Sequence, residues 1–118
     1  MKYLLLIHLN EDEMAALPHE QMNDLNVRHL TLNDDLRQSG HFIEAEALQP
    51  GAQTSTLRVQ NGKVTVMDGP FTETKELVAG FYLVEAKDQD EAVEIARRLP
   101  SLPHGWVEVR PCRQLEVD

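Results

Sequence analysis

The chain predicts an α+β fold of the ferredoxin-like kind, βαββαβ with an inserted β-hairpin, and three observations carry that expectation. Two stretches place apolar residues at helical spacing, Met22 to Leu36 and Ala92 to Leu99. Apolar runs of strand length flank each of them, and Asn61-Gly62 marks a tight hairpin between the two halves. At 118 residues one domain is expected, large enough to bury roughly 65% of the surface its unfolded chain exposes and so to fold without a metal or disulfide.

The elements follow in order. Lys2 to His8 is continuously apolar, the pattern of a central strand covered on both faces or packed at a dimer seam. Met22, Leu25, His29, Leu32 and Leu36 then draw one stripe along a long helix, with Pro18 suited to its first turn and Ser39-Gly40 to its end. His41 to Leu48 reads as a second strand, with Ile43, Ala45 and Ala47 on one face and Phe42, Glu44, Glu46 and Leu48 on the other. Thr54–Gln60 and Lys63–Met67 flank Asn61-Gly62, whose residues tolerate the positive dihedrals of a type I′ turn.

Leu77 to Ala86 is the next strand. Asp88 caps the following helix with Glu91 three residues later, Ala92, Ile95, Ala96 and Leu99 form its buried stripe, and Pro100 stops it. Trp106 to Arg110 closes the order, with Val107 and Val109 opposite Trp106, Glu108 and Arg110. Such a sheet carries both helices on one face, and its bare apolar face predicts a homodimer in which two sheets meet.

Twenty acids against eleven Lys plus Arg give a formal charge of −9, a field that repels phosphate backbones and argues against nucleic acid as a partner. A single cysteine, Cys112, allows no intrachain disulfide and suits a reducing, cytoplasmic setting. The amino-terminal apolar run is cut short by His8, Glu11, Asp12 and Glu13, so neither a signal segment nor a membrane span is expected there.

No phosphate loop, G-x-G-x-x-G, H-E-x-x-H, C-x-x-C or G-x-S-x-G occurs, so no cofactor is expected. The candidates are histidines and the acids around Asp68. His29 interrupts an apolar stripe, where an imidazole must be hydrogen-bonded or face a cavity; it is either a satisfied core histidine or a group that exchanges protons. His8 ends the first strand and is placed to open toward a pocket. Asp68-Gly69-Pro70 is a sufficient turn in itself, the aspartate bonding its own backbone, and Thr72 to Glu76 fits a capped helical turn. The functional alternative gives Asp68 a pocket carboxylate for proton transfer and Lys75 the binding of an anionic substrate group. Glu44 and Glu46 share a strand face and supply further acids. A metal held by His29 or His8 with carboxylates has the residue types but no recognised spacing.

Several blocks, in order, carry a resemblance. Met1 to Ile7, Ser39-Gly40-His41, Glu46 to Pro50, Asp68-Gly69-Pro70-Phe71-Thr72-Glu73-Thr74-Lys75-Glu76, Gly80-Phe81-Tyr82-Leu83 and Val107 to Pro111 resemble the DGPF group of the YCII-related family. The resemblance implies a dimeric α/β barrel assembly, a pocket using a histidine and an aspartate, for which Asp68 and His29 are the matching positions, and a wider family that includes a lyase-type activity on chlorinated aromatics. Two functions stay open. One is a small-molecule acid–base enzyme of lyase or isomerase type using a pocket aspartate. The other is a non-catalytic ligand-binding or regulatory module partnering an extracytoplasmic-function sigma factor, a companion the resemblance implies.

Overall fold

β1 (Lys2–Asn10) runs through the middle of a four-stranded antiparallel sheet and pairs along its length with β5 (Glu76–Glu85) on one side and β6 (Gly105–Pro111) on the other. With β2 (Phe42–Ala47) on the far side of β5, the order is β2-β5-β1-β6, the ferredoxin-like arrangement expected from the sequence. The computed structural model describes residues 1–70 and 76–118.

Side chains alternate across β1. Tyr3, Leu5, Ile7 and Leu9 are buried on one face, while Leu4, Leu6 and His8 lie half-covered on the other. The buried face is covered by α2 (His19–Gln38) through Leu25, Leu32 and Leu36, and by α3 (Gln89–Arg97) through Ala92, Ile95 and Ala96; Tyr82 and Val84 of β5 complete the core. Leu36 is fully buried, so Leu36→Ala removes packing that costs about 2–5 kcal/mol to lose.

The local signals act as their chemistry predicts. Asp88 accepts the Glu91 amide at 2.9 Å, and the Glu91 carboxylate accepts the Lys87 amide at 3.1 Å, closing the first turn of α3. That backbone bond is the main cause of a lowered Glu91 pKa. Asn61 at φ 51° and Gly62 at φ 77° join β3 (Ser55–Gln60) to β4 (Lys63–Asp68) in a separate two-stranded ribbon. Leu57 opposes Val66 and Val59 opposes Val64, so one ribbon face is an exposed apolar strip.

Three details differ from the sequence expectation. The connection after β1 contains a short helix, α1 (Glu11–Ala15), started by Asn10, whose side chain accepts the Glu13 amide. Pro18 sits at the N-cap of α2 rather than inside its first turn. A register shift between Phe42 and Glu44 turns Phe42 toward the helices, where it packs on the core beneath Arg37, so it does not share a face with Glu44 and Glu46. Of the expected turn over Thr72 to Glu76, Glu76 begins β5 and the rest lies outside the described residues. Among the described residues no helix is long and apolar enough to cross a membrane.

Candidate functional site

Where α2 leaves the sheet, a cleft of about 780 Å³ opens between this helix, α1, the end of β2 and the first half of β5. Its size is that of small-molecule sites generally. Ile7 and Leu9 of β1, Met14 of α1, Met22, Leu25 and Leu30 of α2, and Leu48 form its apolar walls. Gly80 helps shape the β-strand wall: a Cβ there would lie 2.8 Å from the Glu46 carbonyl, so only glycine lets β2 and β5 approach as they do.

His29 projects into the cleft from the middle of α2, one turn before Asn33, which also lines it. Its Nδ1 is 2.9 Å from the Tyr82 hydroxyl and its Nε2 is 2.5 Å from Ser101 Oγ. Tyr82 comes from the middle of β5 and Ser101 from the segment after α3, so three separate parts of the chain meet on this ring. Desolvation, reinforced by the positive charge of Arg28, holds His29 below its ordinary value of 6.5 and keeps it neutral at neutral pH. Burial pushes the Tyr82 phenol up to about 12, so it stays protonated.

The single phenol proton has two acceptors in reach, His29 Nδ1 at 2.9 Å and the His29 carbonyl at 3.4 Å. The shorter contact favours Nδ1 as the acceptor; in that tautomer the neutral ring carries its proton on Nε2 and donates it to Ser101. In this state the serine hydroxyl proton can be given to a group in the cleft. Turning the phenol proton onto the carbonyl instead lets Nδ1–H donate to the Tyr82 oxygen, and Nε2 then accepts from Ser101. The trio can thus serve as donor or acceptor without ionising the tyrosine, which is what acid–base chemistry asks of a neutral imidazole.

The other sequence candidates lie elsewhere. His8 is on the opposite face of β1, stacked on Trp106 with ring centroids 5.1 Å apart. Its Nε2 lies 2.5 Å from Glu108 Oε1 but out of line for a hydrogen bond. Asp68 ends β4, exposed, opposite Ser55 and next to Gly69 at φ 89°; it is not part of the cleft lining. His29 and Asp68 are therefore not brought together within the described chain. Lys75 lies outside the described residues. Glu46 sits on β2 at the cleft's edge but opposite Phe81, so its side chain belongs to the bare face of the sheet, and Glu44 turns back to accept its neighbour's amide, that of Ala45, at 2.9 Å. Among the described residues no group of three or more His, Cys, Asp or Glu converges to hold a metal.

Tyr82 and Ser101 were not legible as His29 partners. Tyr82 reads as a strand residue and Ser101 as loop punctuation after Pro100; a buried imidazole on an apolar stripe signalled only that partners must exist.

The YCII-related domain model matches residues 1–116 of the chain. An uncharacterised protein of Rhizobium meliloti (strain 1021) is 35% identical over 117 residues, covering 94% of this chain and 91% of that protein.

Proposed function

The chain belongs to the YCII-related family, and from that premise we propose that it is a small-molecule enzyme of acid–base type, working in the cleft beside α2 with His29 as its proton-handling group. One observation carries the reading: a neutral imidazole is held between two hydroxyls, and His29, Tyr82 and Ser101 all line a cleft of small-molecule size. The reaction class is lyase or isomerase, in which a proton leaves or joins carbon without redox change. Asp68, outside the cleft lining, is given the turn by which the chain leaves β4 in this reading.

The test is hydrogen exchange. Wild-type protein in D2O with a panel of carbonyl carbon acids should replace C–H by C–D faster than buffer, read by proton NMR. His29→Gln should abolish the effect and Ser101→Ala should slow it. Exchange undiminished in folded His29→Gln, or absent for every panel member that binds the cleft, removes the reading. The alternative of a non-catalytic ligand-binding or regulatory module partnering an extracytoplasmic-function sigma factor requires binding without exchange and recovery of a sigma factor by affinity capture.

We further infer a homodimer of the dimeric α/β barrel type, closed through the bare face of the sheet. Leu4, Leu6, Phe81 and Leu83 lie partly exposed on that face, and Trp106 beside them is 46% exposed. A contiguous apolar surface of this kind supports burial against a second copy.

A further inference from the structure

The ribbon of β3 and β4 is firmly built, yet among the described residues nothing covers its apolar side. Its tip is the Asn61-Gly62 turn, and its base is locked where the Gly69 amide donates to the Thr54 carbonyl and Thr56 Oγ1 donates to the Gly69 carbonyl, both at 2.7 Å. The two faces differ in kind. Arg58, Gln60, Lys63 and Thr65 turn to one side, while Leu57, Val59, Val64 and Val66 turn to the other and are 62, 69, 64 and 64% exposed. No charged residue interrupts that strip; Asp68, opposite Ser55, stands at its base. The strip amounts to on the order of 400 Å² of bare hydrocarbon, the size at which an exposed apolar patch marks an interaction site. A two-stranded ribbon is marginal in water unless its apolar face is packed, so this one calls for a cover.

Its own chain does not supply it. The described residues fit a slab of 51 × 49 × 18 Å, the thickness of one sheet and one layer of helices. The Cα radius of gyration is 16.4 Å, against about 13–14 Å for a compact chain of this length. The ribbon therefore stands out past the end of β2 in the plane of the slab and does not fold back over it.

Charge and area point to the same strip on a second copy. Residues 54–67 carry Arg58 and Lys63 and no acid, so all 20 acids lie elsewhere on the chain. An uncharged strip laid dry against that acidic body would strand carboxylates out of water. An identical strip offers hydrocarbon without charge, and a two-fold axis brings identical patches together. Two strips face to face bury on the order of 800 Å², less than the roughly 1,200 Å² that a stable association needs. They pair only between copies that another contact already holds close, where the effective concentration is high, and the bare face of the sheet is that contact.

We propose that the two ribbons of the homodimer pair, the strip of Leu57, Val59, Val64 and Val66 on one copy packing against the same strip of its partner, so that the copies clasp each other outside the sheet–sheet seam. This rests on the homodimer closed through the bare face of the sheet.

The test takes two measurements on the full chain. Sedimentation equilibrium over a dilution series gives the dimer dissociation constant. Val59→Glu/Val64→Glu, at exposed positions in the strip, should raise it at least tenfold, an effect on the order of 1.4 kcal/mol. Gln60→Glu/Lys63→Gln, which makes the same change in net charge on the polar side of the ribbon, should change it by less than about threefold because solvent charges are screened. A nitroxide attached at Lys63→Cys in a Cys112→Ser chain then reports the distance between ribbons by double electron–electron resonance. Strips of this length stacked about 10 Å apart should place the labels within roughly 40 Å of each other. A wild-type chain that stays monomeric throughout the series overturns the dimer and the clasp together. A dimer indifferent to Val59→Glu/Val64→Glu keeps the sheet seam and overturns the clasp alone. A dimer that this variant weakens but whose labels lie farther apart than that limit also overturns the clasp, and gives the strip to the partner's body.

Discussion

Replacing Tyr82 by Phe removes one oxygen from the centre of the proposed site and nothing else. The ring is 3% exposed and stays packed between α2 and the sheet, so the loss is confined to the hydroxyl. That hydroxyl makes the 2.9 Å contact to His29 Nδ1 and the 3.4 Å contact to the His29 carbonyl. The carbonyl retains its helical partner, but Nδ1 is left unpaired in a partly buried position, for which the cost is about 1–3 kcal/mol. Because His29 is only half-buried and water can reach part of it, the lower half of that range is expected, about 1–2 kcal/mol. In a chain of this size each kcal/mol moves the melting temperature by about 4 °C, so Tm should fall by about 4–8 °C. Urea unfolding followed by circular dichroism measures the free energy, and a thermal scan measures the shift. A change below about 0.5 kcal/mol, the range of ordinary surface substitutions, would refute the claim that Tyr82 holds the imidazole.

Three other outcomes follow from the same geometry. His29 is held below 6.5 in the folded chain, so as pH falls the unfolded chain takes up this proton first: the group leaves stability unchanged above 6.5 and subtracts from it as pH drops from there toward the folded value. Urea midpoints across that window should show a limb that flattens in His29→Gln. Trp106→Glu, on the bare face of the sheet, should convert the expected dimer to monomer in sedimentation velocity, and an unchanged sedimentation coefficient would dismiss that face as the interface. Asp68→Asn, at an exposed ribbon end, should alter stability by no more than about 0.5 kcal/mol and leave hydrogen exchange at wild-type rate; a lost exchange activity would return the aspartate to the site.

The fold was legible where one local signal decides the backbone. Asn61-Gly62 fixed the hairpin because few residues accept two consecutive positive φ values, and Asp88 with Glu91 fixed the start of α3 because orphan amides need an acceptor. The α1 helix was missed although Asn10 followed by three acids is a first-turn pattern, since five residues are too few for an apolar period to show. The bulge that turns Phe42 inward has no sequence signature and follows from β2 accommodating its neighbour β5. The site was half-legible for a related reason. His29 announced itself by breaking a stripe on its own helix, but its partners are 53 and 72 residues away, and only the strand order and the return of the chain after α3 bring them together. Asp68 stood out through its motif, which the turn at Gly69 explains without the cleft.

The most direct test of the account is the long-range proton–nitrogen NMR spectrum of the His29 ring, followed through pH and then on adding a compound that binds the cleft. The account predicts a neutral ring with its proton on Nε2 and Nδ1 accepting, a midpoint below 6.5, and both nitrogen signals moving as the compound binds. A midpoint at or above 6.5 with ring signals that no cleft-binding compound disturbs would contradict it.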